Sequence, residues 1–263
     1  MEINNDILHN NNNNELIQYN NININTITTQ AQIYLIGAGP GDIGLLTLKA
    51  KQIIEQADLV LADKLISKEI LNLVRGELKI ANKYQGNQIN AQNELNEYGK
   101  QGLIKGQLVV RLKGGDPFIF GRGGEEVLYY RKLGYEPKII PGISSCLSAP
   151  LLANIPITHR SITNQFLVCT GTTCDNRIIN LPIYEEQRTL ILLMAVHKIN
   201  EVQLSLRELK YPDIINIAII ENASRDNQRN IFTTLKELIV TANKFKIQSP
   251  SIIVIGNSVN TLY

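Results

Sequence analysis

Lys113 to Glu126 reads KGGDPFIFGRGGEE: five glycines, three acids and two bases in fourteen residues. Glycine has more backbone freedom to lose on folding than any other residue, so a loop this rich in it implies a backbone that must approach something closely. A second glycine stretch, Gly39-Pro40-Gly41-Asp42-Ile43-Gly44, follows the apolar run IYLI and has GxGxxG spacing. Each loop comes directly after a segment that reads as a buried strand. In an open α/β sheet, ligands bind just outside the carboxyl ends of the strands. Asp116, between Gly115 and Pro117, offers acceptors to a ligand hydroxyl or amino group, and we take ligand contact over its alternative, capping of the following turn. Glu125 and Glu126 suit the first turn of the next helix, where the helix dipole favours acids. Arg111 and Lys113 lie two apart on one strand and so share a face. With Arg122 and Arg160 they form a set able to receive an acidic substrate; structural ion pairs are the alternative for each.

Asp63 closes the second strand, about where a dinucleotide fold places its ribose-binding acid. The GxGxxG loop therefore carries a rival reading as a NAD or FAD site. Two features weigh against it: Pro40 removes an N–H that a pyrophosphate cradle uses, and a dinucleotide leaves the Lys113–Glu126 loop unexplained. His159, in IPITHR, is the one histidine in a suggestive setting; His9 lies in the N-terminal tract and His197 follows a strand. No Ser/His/Asp spacing supports a hydrolase triad, and no His or Cys pair supports a metal, so none is expected. Met194 ends an apolar strand, where core packing is the ordinary reading.

These residues need a frame. From Gln32 apolar runs with strand length alternate with helically spaced segments: IYLIG, a helix over LLTLKAKQIIEQA, ADLVLAD, a short helix with Ser67 as N-cap, ELKIANK, a helix around 91–102, QLVVRLK, a helix over EEVLYYRKLG, then EPKIIPG. Such alternation predicts an α/β fold with a mostly parallel sheet. After Pro141 the texture becomes small and apolar, then QFLVCTGT, TLILLMAV, INIAIIENAS, NIFTTL and SIIVIG read as strands, with helices around 201–209 and 235–244. NIFTTL follows the IENAS loop so closely that a hairpin is expected, which makes the second sheet mixed. The expected organisation is an asparagine-rich tail at 1–31, an N-terminal α/β domain at 32–140 and a C-terminal α/β domain at 141–263.

The composition, 44% hydrophobic and 19% charged, belongs to a globular chain, and a net charge of +2 gives no electrostatic case for a nucleic-acid partner. No apolar run reaches the roughly 18 residues that a membrane span requires. The three cysteines, 146, 169 and 174, lack CxxC spacing and read as reduced thiols. The tail has neither the basic start of a secretory signal nor the arginines of a transit peptide, so a disordered tail and a cytoplasmic location are expected.

YLIGAGPGDIGLLTLKA, LADKLIS, VVRLKGGDPFIFGRGGEE, PGISS, IPITHR and IIENASRDNQR, collinear from Ile33 to Gly256, resemble the tetrapyrrole methylases, in particular those that act on uroporphyrinogen III. The resemblance implies two α/β domains with the active site in the cleft between them, S-adenosyl-L-methionine (AdoMet) as cofactor, and usually a homodimer. It implies two C-methylations of uroporphyrinogen III, through precorrin-1 to precorrin-2, in sirohaem or cobalamin biosynthesis. The cofactor contacts it implies fall on Pro40, Gly114, Gly115, Asp116, Ile119, Ser144, Ser145, Met194 and Ala223. It implies Asp63 as proton acceptor and Lys83 as proton donor, although Lys83 also suits a substrate carboxylate. Lys64, Arg111, Lys113, Arg122, His159 and Arg160 are the substrate-side candidates. Departures from the family pattern gather on that side: Lys64 stands for an arginine, Ser161 for an aspartate, Thr172 for a histidine and Ala195 for a glycine. Methylation of another corrin-pathway tetrapyrrole is therefore an alternative.

Overall fold

Six consecutive residues, Leu108–Lys113, are all buried, the pattern of a strand covered on both faces rather than one facing water. This strand, β4, is central to the first sheet of the computed structural model, which describes residues 31–81, 88–171 and 181–262. Lys83, Cys174 and the asparagine tract lie outside the described residues. The sheet comprises β1 (Gln32–Gly37), β2 (Leu59–Ala62), β3 (Glu77–Ile80), β4 and β5 (Lys138–Ile140), in the order β3-β2-β4-β1-β5. Every pairing is parallel, so the loops leaving β4, β1 and β5 emerge side by side at one end.

Helices cover both faces. α1 (Leu48–Gln56) begins where the Thr47 hydroxyl accepts the Ala50 N–H, and it buries Ala50, Ile53 and Ile54. Those residues join Val110 and Leu112 of β4 and Ile70 of α2 (Lys68–Leu71) in one core. The opposite core holds Val109 of β4 with Leu95 and Leu103 of α3 (Gln88–Ile104) and Val127 and Tyr130 of α4 (Gly123–Lys132). Alternation along β4 directs Arg111 and Lys113 toward this second, helix-covered face.

The second sheet holds β6 (Gln165–Thr170), β7 (Arg188–Leu193), β8 (Asn216–Glu221), β9 (Arg229–Thr234) and β10 (Ser251–Ile255), in the order β6-β7-β10-β8-β9. β6 and β7 run parallel and the other pairs antiparallel, with β8 and β9 forming the expected hairpin. α6 (Ile199–Glu208) and α7 (Leu238–Phe245) pack on one face, and α5 (Ser145–Leu152) covers the other through Cys146 and Ala149. The described residues from Ala31 onward form one compact unit containing both sheets. Among the described residues, no helix is long and apolar enough to cross a membrane.

Candidate active site

The two glycine loops bind each other. Gly39 N–H donates to Gly115 O at 3.1 Å, and Gly115 N–H donates to Gly39 O at 2.8 Å. Both residues have left-handed backbones, φ +70° and +66°, which glycine adopts without steric penalty. Behind them, a Cβ on Gly37 would lie 2.5 Å from both Gly115 O and Gly142 N, so the ends of β1, β4 and β5 meet at distances only glycine permits. Gly114 differs: a Cβ there would meet nothing within 4 Å, and the residue is exposed at the cleft. The close approach inferred from sequence is thus mostly loop to loop, with Gly114 left facing open space.

The cleft encloses about 250 Å³ and brings together Pro40, Gly114, Gly115, Asp116, Ile119, Ser144, Ser145 and Met194 with Asp63. Ser144 is the N-cap residue of α5, so the N-terminus of that helix starts at the cleft wall. Met194 lies beyond the end of β7 with φ +55° and is 50% exposed. The core-packing reading of its sequence is therefore corrected: the strand ends one residue earlier, and the left-handed turn leaves Met194 as part of the cleft lining. Ala223 is outside the lining and packs, half-buried, against the second-lobe core. The next two residues of its turn carry the contact with the first lobe instead.

Asp116 caps the following turn and lines the cleft. Its Oδ1 accepts the Phe118 N–H at 2.9 Å and its Oδ2 accepts the Gly142 N–H at 3.2 Å. The turn-capping alternative is therefore realised, and the carboxylate also ties the β4 loop to the β5 loop while lining the cleft.

Arg111 and Lys113 do share a face, but α3 and α4 cover it. Arg111 is 1% exposed, and its guanidinium donates to Glu126 Oε1 (2.9 Å), Asp63 Oδ1 (2.6 Å), Leu61 O (3.1 Å) and Leu112 O (3.0 Å). Lys113 Nζ lies 3.0 Å from both Glu126 oxygens. The ion-pair alternative holds for both, and direct substrate contact is corrected, because neither cation reaches solvent. Burial alone would lower the basicity of Arg111, but Asp63 and Glu126 outweigh it and hold the guanidinium above its ordinary pKa. For Lys113, burial and then repulsion from Arg111 prevail, and its pKa falls. Glu125 and Glu126 do occupy the first turn of α4, yet Glu126 is buried in this charge cluster rather than facing water.

The remaining substrate-side candidates are dispersed. Arg122 has φ +58° and forms an exposed fork with Glu125, the shortest contact 2.5 Å. Lys64 is exposed and outside the cleft lining. His159 and Arg160 line a separate, more open groove of about 400 Å³ with Gln187. There His159 Nδ1 donates to Arg160 O at 2.8 Å, since a carbonyl oxygen only accepts.

Two residues of this region, Ser224 and Arg225, escaped the sequence reading, and a third, Ser67, does more than was expected of it. Ser67 occupies the expected N-cap position of α2, but its hydroxyl donates to Gly41 O at 2.6 Å instead of capping the helix. Ser224 Oγ accepts the Asp42 N–H at 3.0 Å, and Arg225 Nη2 donates to Leu65 O at 2.6 Å. Both bonds cross from the β8–β9 turn to the first lobe, and Arg225 lines the cleft. A serine and an arginine in a polar turn have no periodicity to mark them; only the folded chain brings them opposite residues about 160 to 180 positions away.

Residues 32–239 match the model of the Tetrapyrrole (Corrin/Porphyrin) Methylases. The chain belongs to the tetrapyrrole methylase family. A probable uroporphyrinogen-III C-methyltransferase of Schizosaccharomyces pombe is 43% identical over 235 residues, which are 89% of this chain and 47% of that relative. The chain thus spans about half the length of the fission-yeast protein. A uroporphyrinogen-III C-methyltransferase of Methanocaldococcus jannaschii is 39% identical over 88% of this chain and 98% of its own length. Among solved tetrapyrrole methylases, the Thermus thermophilus uroporphyrin-III C-methyltransferase, crystallised with S-adenosyl homocysteine, superposes with a TM-score of 0.77 at 32% identity, covering 88% of this chain and all of that one.

Proposed function

We propose that this chain is an AdoMet-dependent methyltransferase that methylates uroporphyrinogen III twice, through precorrin-1 to precorrin-2. The observation that carries the reading is the glycine-floored cleft, on a fold whose Thermus relative was crystallised with S-adenosyl homocysteine. The cleft residues suit such a group. Gly114 presents backbone with no side chain in the way, Ile66, Ile70, Ile119 and Leu193 give apolar wall, and Ser144, Ser145 and Asp116 give polar contacts. With Pro40, Gly115, Met194 and Ala223 they form the proposed cofactor set.

When bound, AdoMet supplies an electrophilic methyl group on a sulfonium. The chain's own part is to position, to exclude water and to move a proton. Asp63, whose side chain is 21% exposed at the cleft, is the proposed acceptor of the ring proton. Its Oδ1 accepts Arg111 Nη2 at 2.6 Å, which orients the carboxylate at the cleft. Lys83, the proposed donor, lies outside the described residues. A homodimer in the cytoplasm, serving sirohaem or cobalamin synthesis, completes the reading.

The test incubates purified protein with AdoMet and enzymatically generated uroporphyrinogen III and follows the precorrin-2 or oxidised sirohydrochlorin spectrum. Absence of methyl transfer beside an active control overturns the substrate assignment. The alternative, another corrin-pathway tetrapyrrole, draws support from Lys64 and Ser161, whose side chains differ in charge or reach from the family pattern. Competition among purified precorrins separates the two.

A further inference from the structure

Among the described residues, three charged ones occupy the interior of the first lobe. Arg111, Lys113 and Glu126 are each at most 3% exposed, beneath α3 and α4. Leu59, Leu61 and Val109 fill the same core, and apolar residues of similar volume often replace buried ion pairs without loss of stability. The cluster reaches the cleft through Asp63. Arg111 joins the two ends, with Nε on Glu126 and Nη2 on Asp63, while Nη1 is fixed by the carbonyls of Leu61 and Leu112. Glu126 is in turn held by Lys113 and by the side-chain amide of Gln92.

We infer that Glu126 and Lys113 are positioning residues for Asp63: through the locked Arg111 they set the orientation and the ionisation of the carboxylate at the cleft. This deepens the reading of Asp63 as proton acceptor and rests on it. Among the described residues, the charged or titratable groups in and around the cluster include Arg111 and Lys113 on β4, Asp63 after β2, and Glu125, Glu126, Tyr129 and Tyr130 on α4. Their signs predict opposite effects. Removing the Glu126 charge takes an anion away from the neighbourhood of Asp63, so the Asp63 pKa falls. Removing the Lys113 charge takes a cation away, so it rises.

The experiment reads Asp63 directly by ¹³C NMR of the side-chain carboxyl, assigned by its disappearance in Asp63→Asn, in wild type, Glu126→Gln and Lys113→Met. We expect a downward shift in Glu126→Gln and an upward shift in Lys113→Met. The acid limb of the kcat–pH profile should move with each, while KM for AdoMet stays within about twofold because the glycine loops are untouched. A purely structural role would change stability without this pair of opposed shifts. Lys113→Met keeps volume and removes a cation already disfavoured by burial, so it decides the matter even where Glu126→Gln does not fold. Unmoved Asp63 titration, or shifts of the same sign, would overturn the inference. Lack of methyl transfer by wild type would instead sink the functional reading, and normal turnover by Asp63→Asn would sink the acceptor role and this inference with it.

Discussion

Asp116→Asn tests how the cleft floor is held. The carboxylate accepts two backbone N–H groups, from Phe118 at 2.9 Å and Gly142 at 3.2 Å. Asparagine keeps one acceptor oxygen and turns an NH₂ toward the other N–H, so one bond is lost and two donors face each other. Hydrogen bonds to charged acceptors contribute about 1.5–3 kcal/mol, and a part-buried N–H left without a partner costs a similar amount. A loss of about 2 kcal/mol lowers Tm by about 4–8 °C in a unit of this size. Asp116→Ala removes both acceptors and should fall further. Thermal unfolding of the three proteins gives the stability order, and calorimetric titration with S-adenosyl homocysteine gives the affinity order. We expect both to run Asp, Asn, Ala, with about a tenfold loss of affinity at the first step, equivalent to about 1.4 kcal/mol. An Asn variant with unchanged Tm would refute the anchoring argument. Unchanged affinity in the Ala variant would refute placement of the cofactor at this loop.

Gly142→Ala directs a Cβ into Gly115 O. It should part the paired glycine loops, lower Tm by several degrees and weaken S-adenosyl homocysteine binding more than tenfold; wild-type binding in a folded variant would show that the close approach is not needed. Arg225→Ala deletes the bond to Leu65 O across the cleft mouth. Stopped-flow release of S-adenosyl homocysteine should accelerate several-fold while Tm changes little, and an unchanged release rate would argue against a cross-lobe tether. Burial raises the Tyr211 pKa from 10.0 to about 12. The neutral phenol therefore contributes stability that is fully present below about pH 10 and lost as pH rises through about 12. Urea unfolding between these limits should show a downward slope that is shallower in Tyr211→Phe, and an identical slope would exclude the assignment.

Much was legible in the chain because it depends on local chemistry. Apolar runs of strand length alternating with helical spacing are enough to specify a parallel sheet, since only parallel strands with helices on both faces bury such runs. The glycine loops were visible for the same reason: residues that permit left-handed and closely approaching backbone are rare in type. What sequence left open was whatever depends on the partner across space. Spacing placed Arg111 and Lys113 on one face, but whether that face met water or a helix was decided when α3 and α4 packed over it. There, low polarity makes an unpaired charge costly and forces ion pairing with Glu126 and Asp63. Met194 read as core because its strand is apolar, yet one left-handed residue at the strand end places it at the cleft. Ser224 and Arg225 act through the backbone of Asp42 and Leu65, and a backbone partner leaves no mark on the residue types that provide it. The sequence by itself determined which elements form and where their loops emerge; tertiary packing decided which charges are buried, which are exposed and which lobe touches which, because those follow from distances between residues far apart in the chain.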